Sequence, residues 1–142
     1  MVFRSEAVQR RLLRLDHVIH ELDELAALGR PALRQNHRDM LAVERLLQLG
    51  AEILFDIGNH ILSTRFGLAP GDYGEIVRQL LSQRVLSTDL HGRLEGMAGF
   101  RNILVHDYMD LDPERVLDAL ERAPRDFNAF ALEIRRWLEG KT

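Results

Sequence analysis

The run Arg101-Asn102-Ile103-Leu104-Val105-His106-Asp107-Tyr108 sets a guanidinium, an imidazole and a phenol within eight residues. In a chain with 6 His and 2 Tyr, an Arg, a His five positions later and a Tyr two beyond that have a chance expectation of roughly 0.01 occurrences. An imidazole, with its unperturbed pKa near 6.5, accepts or donates a proton near neutral pH. A guanidinium keeps its charge and offers a fixed fork of donors suited to phosphate oxygens. On one straight helix Arg101 and His106 project about 140° apart. Side-chain reach, fraying of the helix after Val105 or a second subunit is needed to bring them to one point.

The elements that must carry these residues are helical. Val8, Leu12, Leu15, Ile19, Leu22 and Ala26 alternate steps of four and three, one apolar seam along a first helix that Gly29-Arg30-Pro31 ends. A second helix is apolar on two stripes, Val43, Leu47, Gly50, Leu54, Ile57 and Ile61 on one and Ala42, Leu46, Leu49, Ile53, Asp56 and His60 on the next, which places it centrally. Asp72-Tyr73-Gly74-Glu75 has capping-box spacing and opens a short third helix. Ser87-Thr88-Asp89 offers caps for a fourth, running through Leu90, Leu94, Met97, Arg101, Leu104 and Tyr108. Asp112 with Pro113 starts a fifth, whose seam is Val116, Leu120, Ala123, Phe127, Phe130, Ile134 and Trp137, with a kink expected at Pro124. Nowhere does a period of two appear between turns. The expected fold is all-α, an antiparallel bundle of about five helices forming a single domain over residues 1–142.

Three places break the seams. Arg101 stands where a bundle ordinarily takes Leu, so it pairs, reaches a cleft or faces a subunit contact. Gly92, Gly96 and Gly99, followed by Asn102 and His106, make a stripe on the same helix; three interior glycines cost roughly 3 kcal/mol unless a close approach compensates. That approach is an internal helix contact, a subunit interface or the floor of a groove. Asp56, Asn59, His60 and Ser63 form a polar cluster on the second helix, either an internal hydrogen-bond network or a support that orients a catalytic His nearby.

The octapeptide, late in a short helical chain, resembles the HEPN superfamily, and the Tyr two residues after the His is similar to HepT-type toxins in particular. The order of helices and the run Asp56-Ile57-Gly58-Asn59-His60 add to the resemblance. It implies a metal-independent endoribonuclease, a homodimer, needing no cofactor, acting on mRNA or tRNA and neutralised by a cognate MntA-type nucleotidyltransferase antitoxin in a type VII toxin-antitoxin system. Arg101 and His106 are then catalytic and Tyr108 the residue that is adenylylated, with Asn102, Asp56 and His60 supporting. Residue chemistry agrees: the 2′-OH of RNA attacks its own phosphate, so the protein supplies a proton acceptor, a proton donor and a cation. A twofold dimer across the glycine stripe sets two Arg and two His around one groove. AMP on the Tyr108 hydroxyl adds bulk and negative charge where RNA phosphate must lie. A non-catalytic helical adaptor for a nucleotidyltransferase or nucleic acid is the alternative.

Composition narrows the field. The chain has 142 residues, 46% hydrophobic and 29% charged, the size and balance of one globular domain. It has no Cys, so thiolate metal clusters and cysteine nucleophiles are excluded and a reducing, cytoplasmic compartment is expected. No apolar run suits a signal peptide or a membrane span. The net charge of −3 argues against broad coating of nucleic acid, so any RNA contact must be focused. His17, His20 and Glu21 lack further metal ligands and read as a solvated face. Arg4, Arg10, Arg11 and Arg14 form a basic strip of the kind many exposed helices carry. The acidic residues from Asp107 to Asp118 are explained by helix capping and the helix dipole, and are also available to a basic partner. No Gly-rich phosphate loop and no G-x-S-x-G occurs.

Overall fold

The computed structural model describes residues 2–140, apart from the side chain of Tyr108, and among them there is no strand. The helices are α1 (Ser5–Ala26), α2 (Arg30–Gln35), α3 (His37–Arg65), α4 (Tyr73–Ser82), α5 (Thr88–Leu94), α6 (Met97–His106) and α7 (Pro113–Glu139), with a single 3₁₀ turn, Tyr108–Asp110, between the last two. The long helices α1, α3 and α7 pack on one another, and α4 and α6 lie against α3. Phe3, just before α1, meets Trp137 near the end of α7 and His60 near the end of α3. Trp137 also reaches Phe66 just beyond α3. Hence α1 runs antiparallel to both α3 and α7.

Most of the seam positions read from the sequence form the core, while Ile19, Ala26, Trp137 and, on the second stripe of α3, Ala42, Leu46 and Leu49 are only half-buried. Val8, Leu12, Leu15 and Leu22 of α1, Val43, Leu47, Leu54, Ile57 and Ile61 of α3, and Val116, Leu120, Phe127, Phe130 and Ile134 of α7 are all buried. Side chains at these positions bring most of the hydrophobic stabilisation, roughly 1.5–3 kcal/mol for each fully buried large aliphatic or aromatic residue. The central position of α3 depends on its glycines. A Cβ at Gly50 would stand 2.3 Å from the Phe127 ring, and one at Gly58 would stand 2.6 Å from Ile76. Close approach therefore happens at Gly50 and Gly58.

It does not happen along Gly92, Gly96 and Gly99, where no atom lies within 4 Å of an added Cβ. An internal helix contact is thus not what those glycines serve. Gly96 has φ +89°, a left-handed conformation that ends one helix and begins another. The single fourth helix expected from periodicity is therefore two, α5 and α6. Apolar spacing continues across such a break, so periodicity alone does not show it. Elsewhere the caps are as read: Asp72 accepts from the Glu75 N–H while Glu75 accepts from the Gly71 N–H, Ser87 accepts from the Leu90 N–H, and Asp112 accepts from the Glu114 N–H. The helix α7 continues through Pro124.

Candidate functional site

The break at Gly96 turns α6 onto α3, where Met97, Ala98, Phe100 and Leu104 rest on the core half-buried. None of the ten residues of α6 is fully buried. Arg101 leaves this helix toward α3 and α4. Its Nε donates to the Glu52 carboxylate of α3, and its Nη1 donates to Asn102 Oδ1 at 3.2 Å. The guanidinium carbon stands 4.7 Å from the centroid of the Tyr73 ring, which itself stacks on Phe55 at 4.6 Å. Tyr73 is in place because the Asp72 cap starts α4 at that residue. The charge is thus clamped by a carboxylate, an amide and a π-face, an arrangement that fixes the plane of the fork. Nη2 makes no hydrogen bond among the described residues.

His106 is the last residue of α6 and is exposed. It makes no hydrogen bond or ion pair among the described residues, and it does not line the cleft beside α6 that Arg101 borders. Among the described residues, no hydrogen bond or ion pair links the imidazole to the clamped guanidinium. Tyr108 begins the 3₁₀ turn two residues later; its side chain, the expected modification site, lies outside the described residues.

Asp56 and His60 sit one and two turns beyond Glu52 along α3. Asp56 is exposed as a residue, yet the neighbouring protein takes enough water from its carboxyl to push it up, while the Arg11 charge opposes the shift. Burial, with Arg11 nearby, pushes the His60 imidazole below its ordinary range. Its Nε2 accepts the Arg4 N–H at 3.3 Å and its ring faces Phe3 at 5.7 Å. His60 thus closes the corner where α1 begins and α3 and α7 end. The Ser63 and Thr64 hydroxyls both donate to the His60 carbonyl, so they serve the helix itself. Sequence reasoning missed Glu52 and Tyr73. The available signal was the i,i+4 step backward from Asp56, which puts Glu52 on the same polar stripe.

His60 carries a testable consequence. Its folded-state pKa lies below the unfolded value near 6.5, so stability is fully present above that pH and falls as the pH drops below it, where only the unfolded chain takes the proton. The thermal midpoint is expected to decline from pH 7 toward pH 5.5, and the decline to be shallower in His60→Gln. Equal slopes in the two proteins would show that the corner does not hold a neutral imidazole.

Among the described residues, no three His, Asp or Glu side chains are grouped to hold a metal. His20 pairs with Glu24 at 2.5 Å. Part of the acidic stretch is internally engaged: Glu114 accepts from Arg34 at 2.7 Å and Asp118 from Arg30, which also donates to Glu121 beyond the stretch at 2.6 Å. No helix among the described residues is long and apolar enough to cross a membrane.

Comparison with known proteins adds the following. Residues 15–134 match a family model described as Ribonuclease HepT-like. A relative from Aphanizomenon flos-aquae, named tRNA nuclease HepT, is 26% identical over 132 residues, covering 92% of this chain and 89% of the relative. One from Shewanella oneidensis, named mRNA nuclease HepT, is 31% identical over 84 residues, or 59% of this chain and 63% of the relative. The solved structure of a tri-AMPylated Shewanella oneidensis HEPN toxin in complex with MNT antitoxin superposes with a TM-score of 0.84 at 23% identity, covering 94% of this chain and 99% of that one.

Proposed function

Since the chain belongs to the HepT-like ribonuclease family, we propose that it is the RNA-cleaving toxin of a toxin-antitoxin pair, with Arg101 and His106 as its catalytic residues. The observation that carries this reading is the clamped guanidinium of Arg101. Glu52, Asn102 and Tyr73 hold it, with Nη2 making no hydrogen bond among the described residues, on the helix that ends in an exposed His106. Arg101 binds a non-bridging oxygen of the scissile phosphate. His106 takes the proton from the 2′-OH as the O2′–P bond forms and the P–O5′ bond breaks, and a second His106 protonates the departing 5′ oxygen. The products are a 2′,3′-cyclic phosphate and a 5′-OH. No metal and no cofactor takes part.

The second His106 comes from a second copy of the chain. On α6 the two catalytic side chains diverge by about 140°, so one subunit's Arg101 and its partner's imidazole share a groove more readily than two groups of one chain. Ile103 and Val105, half-buried and not among the α6 residues that rest on the core, leave apolar surface for that copy to meet. The control point is Tyr108, adenylylated by a cognate MntA-type nucleotidyltransferase; AMPylation of the related toxin from Shewanella oneidensis supports this. The absence of Cys supports a cytoplasmic setting.

Purified protein incubated with single-stranded RNA in excess chelator is expected to yield fragments ending in 2′,3′-cyclic phosphate. After co-expression with the nucleotidyltransferase its intact mass is expected to rise by one or more AMP units, at Tyr108, with cleavage lost. RNA left whole by the unmodified protein would favour the adaptor reading instead.

A further inference from the structure

Between α6 and α7 lies an open cleft of about 500 Å³, and Arg101 stands on its border. Its charge does not match that of the chain as a whole. Of the lining carboxylates, Asp118 is taken by Arg30, and Asp126 accepts from Arg93 at 2.8 and 3.0 Å. Glu95 is the one outside these pairs. Arg122 makes no hydrogen bond or ion pair among the described residues. The Arg115 guanidinium lies 6.0 Å from the Phe100 ring, and Arg125 Nε stands 3.9 Å from the Asp126 carboxylate that Arg93 already holds. All three arginines are exposed. A protein of net charge −3 therefore gathers a local surplus of cations beside the residue that binds phosphate.

Their spacing is that of a track. Arg115 and Arg122 are seven residues apart on one face of α7, about 10 Å along its axis, and Arg125 extends the row to about 15 Å. The opposite wall is bare backbone at Gly92 and Gly96, where nothing lies within 4 Å of an added Cβ. Phe100, half-buried with Arg115 over its ring, lines the cleft between the two walls.

We propose that this cleft is the path of the RNA strand flanking the cut, with Arg115, Arg122 and Arg125 on successive phosphates and Phe100 stacking a base. This rests on the ribonuclease reading above. It explains how an acidic protein handles a polyanion: the contact is narrow, electrostatic and independent of base identity.

The test uses a fluorescent single-stranded oligonucleotide, 2′-O-methylated throughout so that it cannot be cut, and follows its binding by anisotropy across a salt series. For each phosphate contact removed, the slope of log K against log salt is expected to flatten by about 0.7. The Arg115→Ala/Arg122→Ala protein should thus bind about tenfold or more weakly at low salt, and on the unmodified strand its KM should rise with little change in kcat. Arg122→Lys should restore most of the slope. Wild-type protein that cleaves, with variants that keep its slope and its KM, overturns the track and leaves the ribonuclease reading standing. A variant that keeps RNA binding but loses a co-purifying nucleotidyltransferase also overturns it, since the face then belongs to a protein partner. Failure of the wild type to cleave the unmodified strand removes the ribonuclease reading and the track with it.

Discussion

His106→Ala is expected to lower RNA cleavage by about 10²- to 10⁴-fold, the range general acid-base catalysis contributes, while leaving the thermal midpoint within a degree or two of wild type. The two halves of this expectation come from the same observation. His106 ends α6 exposed and without a hydrogen bond or ion pair among the described residues, so its removal opens no cavity and orphans no partner, and exposed sites of that kind shift stability by under about 0.5 kcal/mol. Among the described residues the imidazole has no hydrogen-bond or ion-pair partner to lose. Mixing separates the arrangements open to it. In the proposed dimer, Arg101→Ala and His106→Ala would each remove one of the two proposed catalytic groups, whereas a mixed dimer would keep one guanidinium and one imidazole in its groove. Partial return of cleavage on mixing is expected if the groups act across the subunit contact. No return, with exchange verified by mass and with a mixed dimer of wild type and His106→Ala still cleaving on its single imidazole, would place both groups in one chain and overturn the shared groove.

How much of this was legible in the sequence differs between seam and site. The seams of α1, α3 and α7 needed only the helical period, because burial repeats every three or four residues and the core follows it. The break at Gly96 was not legible as a break, since an interior glycine and a left-handed helix start look alike in one dimension; only φ distinguishes them. The glycines that do pack closely, Gly50 and Gly58, are told apart from Gly92 and Gly99 only by what lies opposite, Phe127 and Ile76 in the first case and open space in the second. Arg101 announced itself by standing on an apolar seam. Its partners did not: Glu52 looks like any solvated carboxylate, and Tyr73 precedes it in space only because the turn before α4 is capped at Asp72. Long-range pairing of that sort leaves no periodic trace. His60 was legible as a polar residue on an apolar face, but which of its neighbours it meets, Phe3 and Arg4 from the far end of α1, depends on how the helices cross.

The Glu52–Arg101 pair gives the second large effect, and it allows stability to be separated from catalysis. Both side chains are mostly shielded, with 16% of Arg101 and 26% of Glu52 accessible, so removing one leaves the other partly desolvated and unpaired. Arg101→Ala is therefore expected to cost about 1–3 kcal/mol of stability and to reduce cleavage by about 10²- to 10³-fold, the scale set by loss of a positioned donor to a developing anion. Glu52→Ala carries a similar stability cost but a smaller activity loss, because the guanidinium stays charged and over Tyr73 while losing its fixed direction. Removing both residues should return most of the stability, since nothing is then left unpaired, and return none of the activity. Arg101→Lys, which keeps the charge but gives up the fork and the stacking plane, should fold well and still cleave poorly. Chemical denaturation and single-turnover cleavage on the same four proteins read the two quantities independently. If activity came back together with stability in the double variant, Arg101 would be a structural ion pair, and the catalytic cation would have to be sought elsewhere on α6 or α7.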